Sequence, residues 1–283
     1  MTPTESDVKR IEEALAENPT DTNLMNSLAL GYLSNPNLLQ DREILKLLEK
    51  AYQTKKTIKS THNLAWFYYE EYGATLERAI EIQSECISMN PKSFYPYVLY
   101  GYMLLQNQQP LEAIKPLEIA YSKMPRRDIA NNLGIAYAKD GNFHKAKYYL
   151  IKASNEDDIE NISKYNLAIV KIQLEEQEDA LEIARELKQI IADKPLSDAI
   201  DAFEVAYLYY LLNDCDRAYS CCKMCDWNIY DLFSWKYIPY LIYQNDLKLY
   251  QELVSAEIEK KKTWIRKIND NHQDWEDDSE EEK

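Results

Sequence analysis

The stretch 133–153, LGIAYAKDGNFHKAKYYLIKA, places small residues at Gly134, Gly141, Ala146 and Ala153 and an aromatic at Tyr137. Gly101 lies 33 residues before Gly134, and Ala168 lies 34 after it. Each stands in a near-copy of the same pattern: Tyr100, Ala113, Ala120 and Pro125 around the first, Leu167 and Ala180 around the second. A period of about 34 with small residues at fixed offsets marks stacked helical hairpins. Strand-like alternation is nowhere sustained. With five glycines and ten prolines, most of the 283 residues are free to be helical.

The pattern extends in both directions. Upstream, Leu64-Ala65 and Tyr68 open a unit closed by Ala79, Cys86 and Pro91. Before it, Leu28-Ala29 and Tyr32 lead into Ile44, Leu48 and Ala51, and Ala14 with Pro19 fits a half-unit. Downstream, Val205-Ala206, Tyr209, Ala218 and Cys225 follow an insertion near Asp193-Lys194-Pro195. A last, degenerate unit runs from Trp235 to Ala256, with Tyr240 in the small-residue place, as expected of an end that caps a stack. The expected division is a half-repeat or cap helix over 1–20, a repeat array over 21–230, a degenerate repeat with capping helix over 231–269, and an acidic tail over 270–283.

Close approach of helices explains the pattern. Ala29, Ala65, Gly101, Gly134, Ala168 and Ala206 fall on the first helix of each pair, and Ala79, Ala113, Ala146, Ala180 and Ala218 on the second. Small residues at facing sites bring two axes toward the short end of the usual range of roughly 8–10 Å. Leu117, Leu133, Leu150 and Leu167 fill the space to neighbouring pairs. Pro19, Pro91 and Pro125 stop helices. The fold class predicted is an all-α solenoid.

On these residues, from about 5 to 268, the chain resembles the tetratricopeptide-repeat (TPR) family. The resemblance implies a right-handed superhelix of antiparallel helix pairs whose first helices line a concave groove. Phase from the Leu–small pair then assigns the groove residues: Asn63, Trp66 and Tyr69; Tyr95 and Tyr102; Asn132 and Ile135; Tyr165, Asn166 and Ile169; Phe203 and Tyr207. Asn63, Asn132 and Asn166 each immediately precede the pair. An Asn amide offers donors and an acceptor suited to an extended main chain, and in family members that hold peptides Asn here grips the ligand. The competing reading is a bond to a preceding loop or a helix cap. The aromatic residues supply contact area typical of binding hot spots. The clamp by which some members hold acidic C-termini is absent, since His62 and Trp66 take its first two places.

The remaining features limit the alternatives. Net charge is −15, and the segment 270–283 alone holds eight acids and one Lys, which predicts a disordered tail. That tail is either solubilising or, with Trp275, a competitor for a basic partner. An acidic chain is a poor nucleic-acid binder. No apolar run is long enough to span a bilayer, and residues 1–7 do not form a signal peptide, so membrane insertion is not expected and the expected location is the cytoplasm. Cys222-x-x-Cys225 suggests a metal pair, but both positions align with core places such as Leu117 and Ala153, and a second ligand pair with metal-site spacing is missing. No metal or other cofactor is expected. The three histidines carry no nucleophile motif, and no phosphate-binding or hydrolase signature is present, so an enzyme is not expected. The expected function is a scaffold that captures an apolar, basic segment of another protein. The alternative is an acidic stoichiometric inhibitor, of immunity type, that covers a basic toxin or enzyme. A homodimer stacked through terminal repeats is compatible with either.

Overall fold

The computed structural model describes residues 4–35, 38, 41–70, 76–154, 161–193 and 202–222. Among them are thirteen α-helices, α1 to α13, and no strand. The expected degenerate repeat over 231–269, the acidic tail and Cys225 lie outside the described residues, as does the side chain of Cys222. The chain divides into two compact units at Asp140/Gly141.

The first unit holds α1 (Glu5–Glu17), α2 (Thr22–Leu33), α3 (Asp41–Thr54), α4 (Ile58–Glu70), α5 (Leu76–Ser88), α6 (Tyr95–Gln106), α7 (Pro110–Lys123) and α8 (Arg127–Lys139). Each helix packs on the next, and α2, α4, α6 and α8 also pack successively on one another. Alternate helices therefore form an inner layer, with α3, α5 and α7 outside it. Sequence explains the layering. α3 buries Ile44, Leu48 and Ala51, one stripe at helical spacing, as a helix with one covered face should. α8 buries Ile129, Ala130 and every residue from Leu133 to Ala138, because an inner helix is covered on several sides.

The second unit holds α9 (Phe143–Ala153), α10 (Ile162–Gln173), α11 (Gln177–Asp193), α12 (Ala202–Leu211) and α13 (Cys215–Cys222), again packed in sequence, with α10 against α12. α9 keeps a single buried stripe, Ala146, Leu150 and Ala153. α10 buries Ile162, Ser163 and Tyr165 through Val170, and α12 buries six consecutive residues, Glu204 to Tyr209.

Helix ends follow local chemistry. Thr4 and Asp7 form a reciprocal capping box on α1, and Asp21 Oδ1 accepts from the main-chain N–H groups of Asn23 and Leu24 to cap α2. The turns after α6, α8, α10 and α12 each have one left-handed residue: Gln108 (φ 56°), Gly141 (φ 81°), Glu175 (φ 62°) and Asn213 (φ 58°). The next N–H then reaches back five residues in three of them, Gln109 to Leu104 O (2.8 Å), Glu176 to Lys171 O (2.9 Å) and Asp214 to Tyr209 O (2.8 Å), the Schellman closure of a helix. Pro116 lies inside α7, within its buried seam of Ala113, Leu117 and Ala120.

A second repeated relationship ties successive pairs together. Tyr32, Tyr68 and Tyr137, each three residues after the small residue of its first helix, donate a phenolic hydroxyl to Glu12, Glu49 (2.7 Å) and Glu118 of the preceding outer helix. Burial and the acceptor carboxylate push the phenols of Tyr32 and Tyr68 up to about 12.

Candidate functional site

The first unit contains a cleft of about 450 Å³, lined by Leu30 of α2, His62, Asn63 and Trp66 of α4, Tyr95, Val98, Leu99 and Tyr102 of α6, and Asn132 of α8. The spacing follows from helix geometry. Asn63 and Trp66 are three residues apart, as are Tyr95, Val98 and Leu99 within four, and Tyr102 lies a turn beyond, so each set shares a face. Because α2, α4, α6 and α8 are layered, those faces converge.

Five expected groove residues therefore meet at one place: Asn63, Trp66, Tyr95, Tyr102 and Asn132. Tyr69 stands behind them, its ring edge-on to Tyr102 at 5.8 Å and 83°. Burial and the neighbouring Tyr102 phenol hold its hydroxyl well above the ordinary tyrosine range. Tyr95 is 58% exposed and forms the rim, stacked on Phe94. Leu30 and Leu99 complete the wall. Phase-counting did not single them out, because Leu30 belongs to a first helix whose groove face was not assigned and Leu99 is adjacent to the counted positions.

The other expected residues are placed differently. Ile135, Tyr165, Asn166, Ile169 and Tyr207 are all buried, at no more than 1% exposure, and so do not present the solvent-open lining expected of them. The reason is visible in composition: α8, α10 and α12 are apolar around most of their circumference, and such helices are covered rather than half-exposed. The side chain of Phe203 lies outside the described residues. Among the described side chains of the cysteine cluster, Cys221 is buried; desolvation pushes both Cys221 and Cys86 up, Cys86 to about 11. Such thiols are packed, unreactive apolar groups.

The polar chemistry of the cleft comes from α4. Asn63 Nδ2 donates to Asn26 Oδ1 (3.0 Å), and Asn26 Nδ2 donates to Thr22 O (2.7 Å). His62 Nδ1 lies 3.3 Å from Gln83 Oε1, and Gln83 Nε2 donates to Pro96 O (2.7 Å). Gln83 is fully buried at the place where other units carry Leu117 and Leu150, a polar residue in an apolar position. Burial lowers the His62 pKa below 6.5, only partly offset by the bond to Gln83. Among the described residues the lining contains no carboxylate, Lys or Arg. Lys59, one turn before Asn63, is directed to Ser27 Oγ at 3.0 Å.

Comparison with solved structures shows the same architecture. YrrB, a TPR protein with an unusual peptide-binding site, superposes with a TM-score of 0.57 at 15% identity, over 75% of this chain and 97% of that one. MamA from Desulfovibrio magneticus RS-1 gives 0.54 at 18%, over 61% and 96%. PilF from Pseudomonas aeruginosa gives 0.54 at 18%, over 80% and 96%. No family model and no curated protein matches the sequence. No helix among the described residues is long and apolar enough to cross a membrane.

Proposed function

We propose that this chain, which has the tetratricopeptide-repeat fold, is a protein-binding scaffold whose first unit captures an extended segment of another protein in the α2–α4–α6–α8 cleft. The observation that carries this reading is the convergence of two Asn amides and three large aromatic side chains, drawn from three helices, on one concavity. Asn132 and the remaining Nδ2–H of Asn63 bind main-chain groups, while Trp66, Tyr95, Tyr102, Val98 and Leu99 receive a side chain. An apolar concavity with a few convergent polar groups is the usual form of a recognition site. YrrB, similar in fold, has a peptide-binding site by its own description, which agrees with this use of the fold. A catalytic role has no comparable support, since the lining offers a single titratable imidazole and no nucleophile beside it.

Display selection of random peptides on the whole chain tests the reading. Ligands retained by the natural chain and lost by the Asn63→Ala/Asn132→Ala variant support it; ligands indifferent to both substitutions contradict it. The second reading, an acidic inhibitor, is favoured by the net charge of −15. It predicts binding that is abolished by salt and unaffected by these Asn residues.

A further inference from the structure

Two amide relays fix the hydrogen-bonding polarity of the cleft. A main-chain carbonyl oxygen only accepts, so Thr22 O requires the nitrogen of Asn26, leaving Asn26 Oδ1 to require the nitrogen of Asn63. Neither amide can turn over without losing a bond. Asn63 Oδ1 is thereby left as an acceptor, with no partner among the described residues. In the second relay Pro96 O requires the nitrogen of Gln83, so Gln83 Oε1 faces His62 Nδ1. An amide oxygen cannot donate, so Nδ1 carries the imidazole proton and Nε2 is bare. Burial holds the ring neutral in that tautomer. α4 thus carries two acceptors, on two residues that line the cleft, whose orientation the relays set.

The walls point the same way. Trp66, Tyr95 and Tyr102 line the cleft, and the faces of such rings carry a negative quadrupole that attracts cations. Among the described residues the lining has no Lys or Arg; Lys59 is directed to Ser27, Arg126 beside Tyr95 is paired with Asp128 at 3.0 Å, and the whole chain carries −15. Resting on the capture of a peptide segment, we propose that the cleft is a pocket for an arginine side chain of that segment. The guanidinium donates to His62 Nε2 and Asn63 Oδ1 and lays its plane against the aromatic walls. Arginine suits this better than lysine because it is flat, weakly hydrated and carries five donors, whereas an ammonium is a compact, strongly hydrated point charge. With Tyr95 58% exposed at the rim, one edge of the guanidinium stays in water, which lessens the cost of a cleft without a carboxylate.

The test titrates three probes into the isotope-labelled full chain: N-acetyl-arginine amide, its neutral near-isostere N-acetyl-citrulline amide, and N-acetyl-lysine amide. Binding is read by NMR on the Trp66 indole and the His62 ring nitrogens. Expected are a His62 spectrum with Nδ1 protonated and Nε2 bare, and arginine binding at least about tenfold tighter than either other probe, the size of one charge-assisted contact. His62→Phe and Asn63→Ala should each erase that preference; because His62→Phe also touches Gln83, the tautomer read in the natural chain supplies a check free of any folding defect. Equal binding of arginine and citrulline, a protonated Nε2, or no arginine binding at all overturns the proposal. If arginine fails while display-selected peptides without arginine still need Asn63 and Asn132, the pocket assignment falls and peptide capture stands. If no peptide needs those residues either, both fall.

Discussion

A Cβ atom built on Gly101 would lie 2.4 Å from Cγ of Leu117, so α6 and α7 touch where one of them has no side chain. The contact is with a branch point rather than a flexible tip, and Leu117 is fully buried. Gly101→Ala should therefore destabilise the protein by about 1–3 kcal/mol through overpacking, despite the better helix propensity of Ala. Urea unfolding measures this. Leu117→Ala should cost less in the Gly101→Ala background than in the natural chain, a coupling that an indirect effect would not produce.

The left-handed turn position gives a prediction of opposite signs. Gly141 (φ 81°) has open space around its missing side chain, so Gly141→Ala tests backbone strain alone and should cost about 1 kcal/mol. Gln108 occupies the same conformation at φ 56°, and Gln108→Gly should raise stability by up to about 1 kcal/mol. Thermal unfolding of the two variants should move in opposite directions.

Tyr68 joins α4 to Glu49 of α3 by a 2.7 Å bond. Tyr68→Phe keeps the ring and removes the hydroxyl, with an expected loss of about 0.5–1.5 kcal/mol. In the natural chain, spectrophotometric titration should show phenolate from Tyr32 and Tyr68 only as pH nears about 12, the value burial and the carboxylates impose.

His62 makes stability depend on pH near neutrality. Its folded pKa lies below 6.5, so between the two values the unfolded chain binds a proton that the folded chain does not. Its contribution is present above 6.5, diminishes as pH falls through that window, and levels off below the folded pKa. The lowered carboxylates of Glu85 and Glu176 act in a separate, more acid range, below 4.5. Urea unfolding at pH about 7 and about 5.5 should show the loss in the natural chain and less of it in His62→Phe. An equal loss in both would remove His62 as its source.

The hairpin order was legible because small residues recur where helices cross: Ala65, Ala79, Ala113, Ala146 and Ala168 are all fully buried. The left-handed turns were legible at Gly141 and Asn213, whereas Gln108 and Glu175 reach the same conformation without a residue that announces it. The tyrosine of each interhelical Tyr–Glu bond could be read from its period, but not its glutamate, which lies 19 or 20 residues away on another helix. Asn63, Trp66, Tyr95, Tyr102 and Asn132, assigned by phase, line one cleft, yet phase counts only which way a residue points and not what covers it. Tyr165, Asn166 and Tyr207 therefore carry the right phase and are buried. Gln83 was the signal left unused: a polar residue in a leucine place, it sets the tautomer of His62.

The account rests most heavily on the cleft, and the affinity of one display-selected peptide for three forms of the protein tests it most directly. By calorimetry, Asn63→Ala/Asn132→Ala should weaken binding by about 10-fold or more, as loss of two main-chain bonds implies, and Trp66→Ala by at least as much. Circular dichroism should show unchanged helix content in all three. Affinity equal to that of the natural chain in both variants would contradict capture at this site.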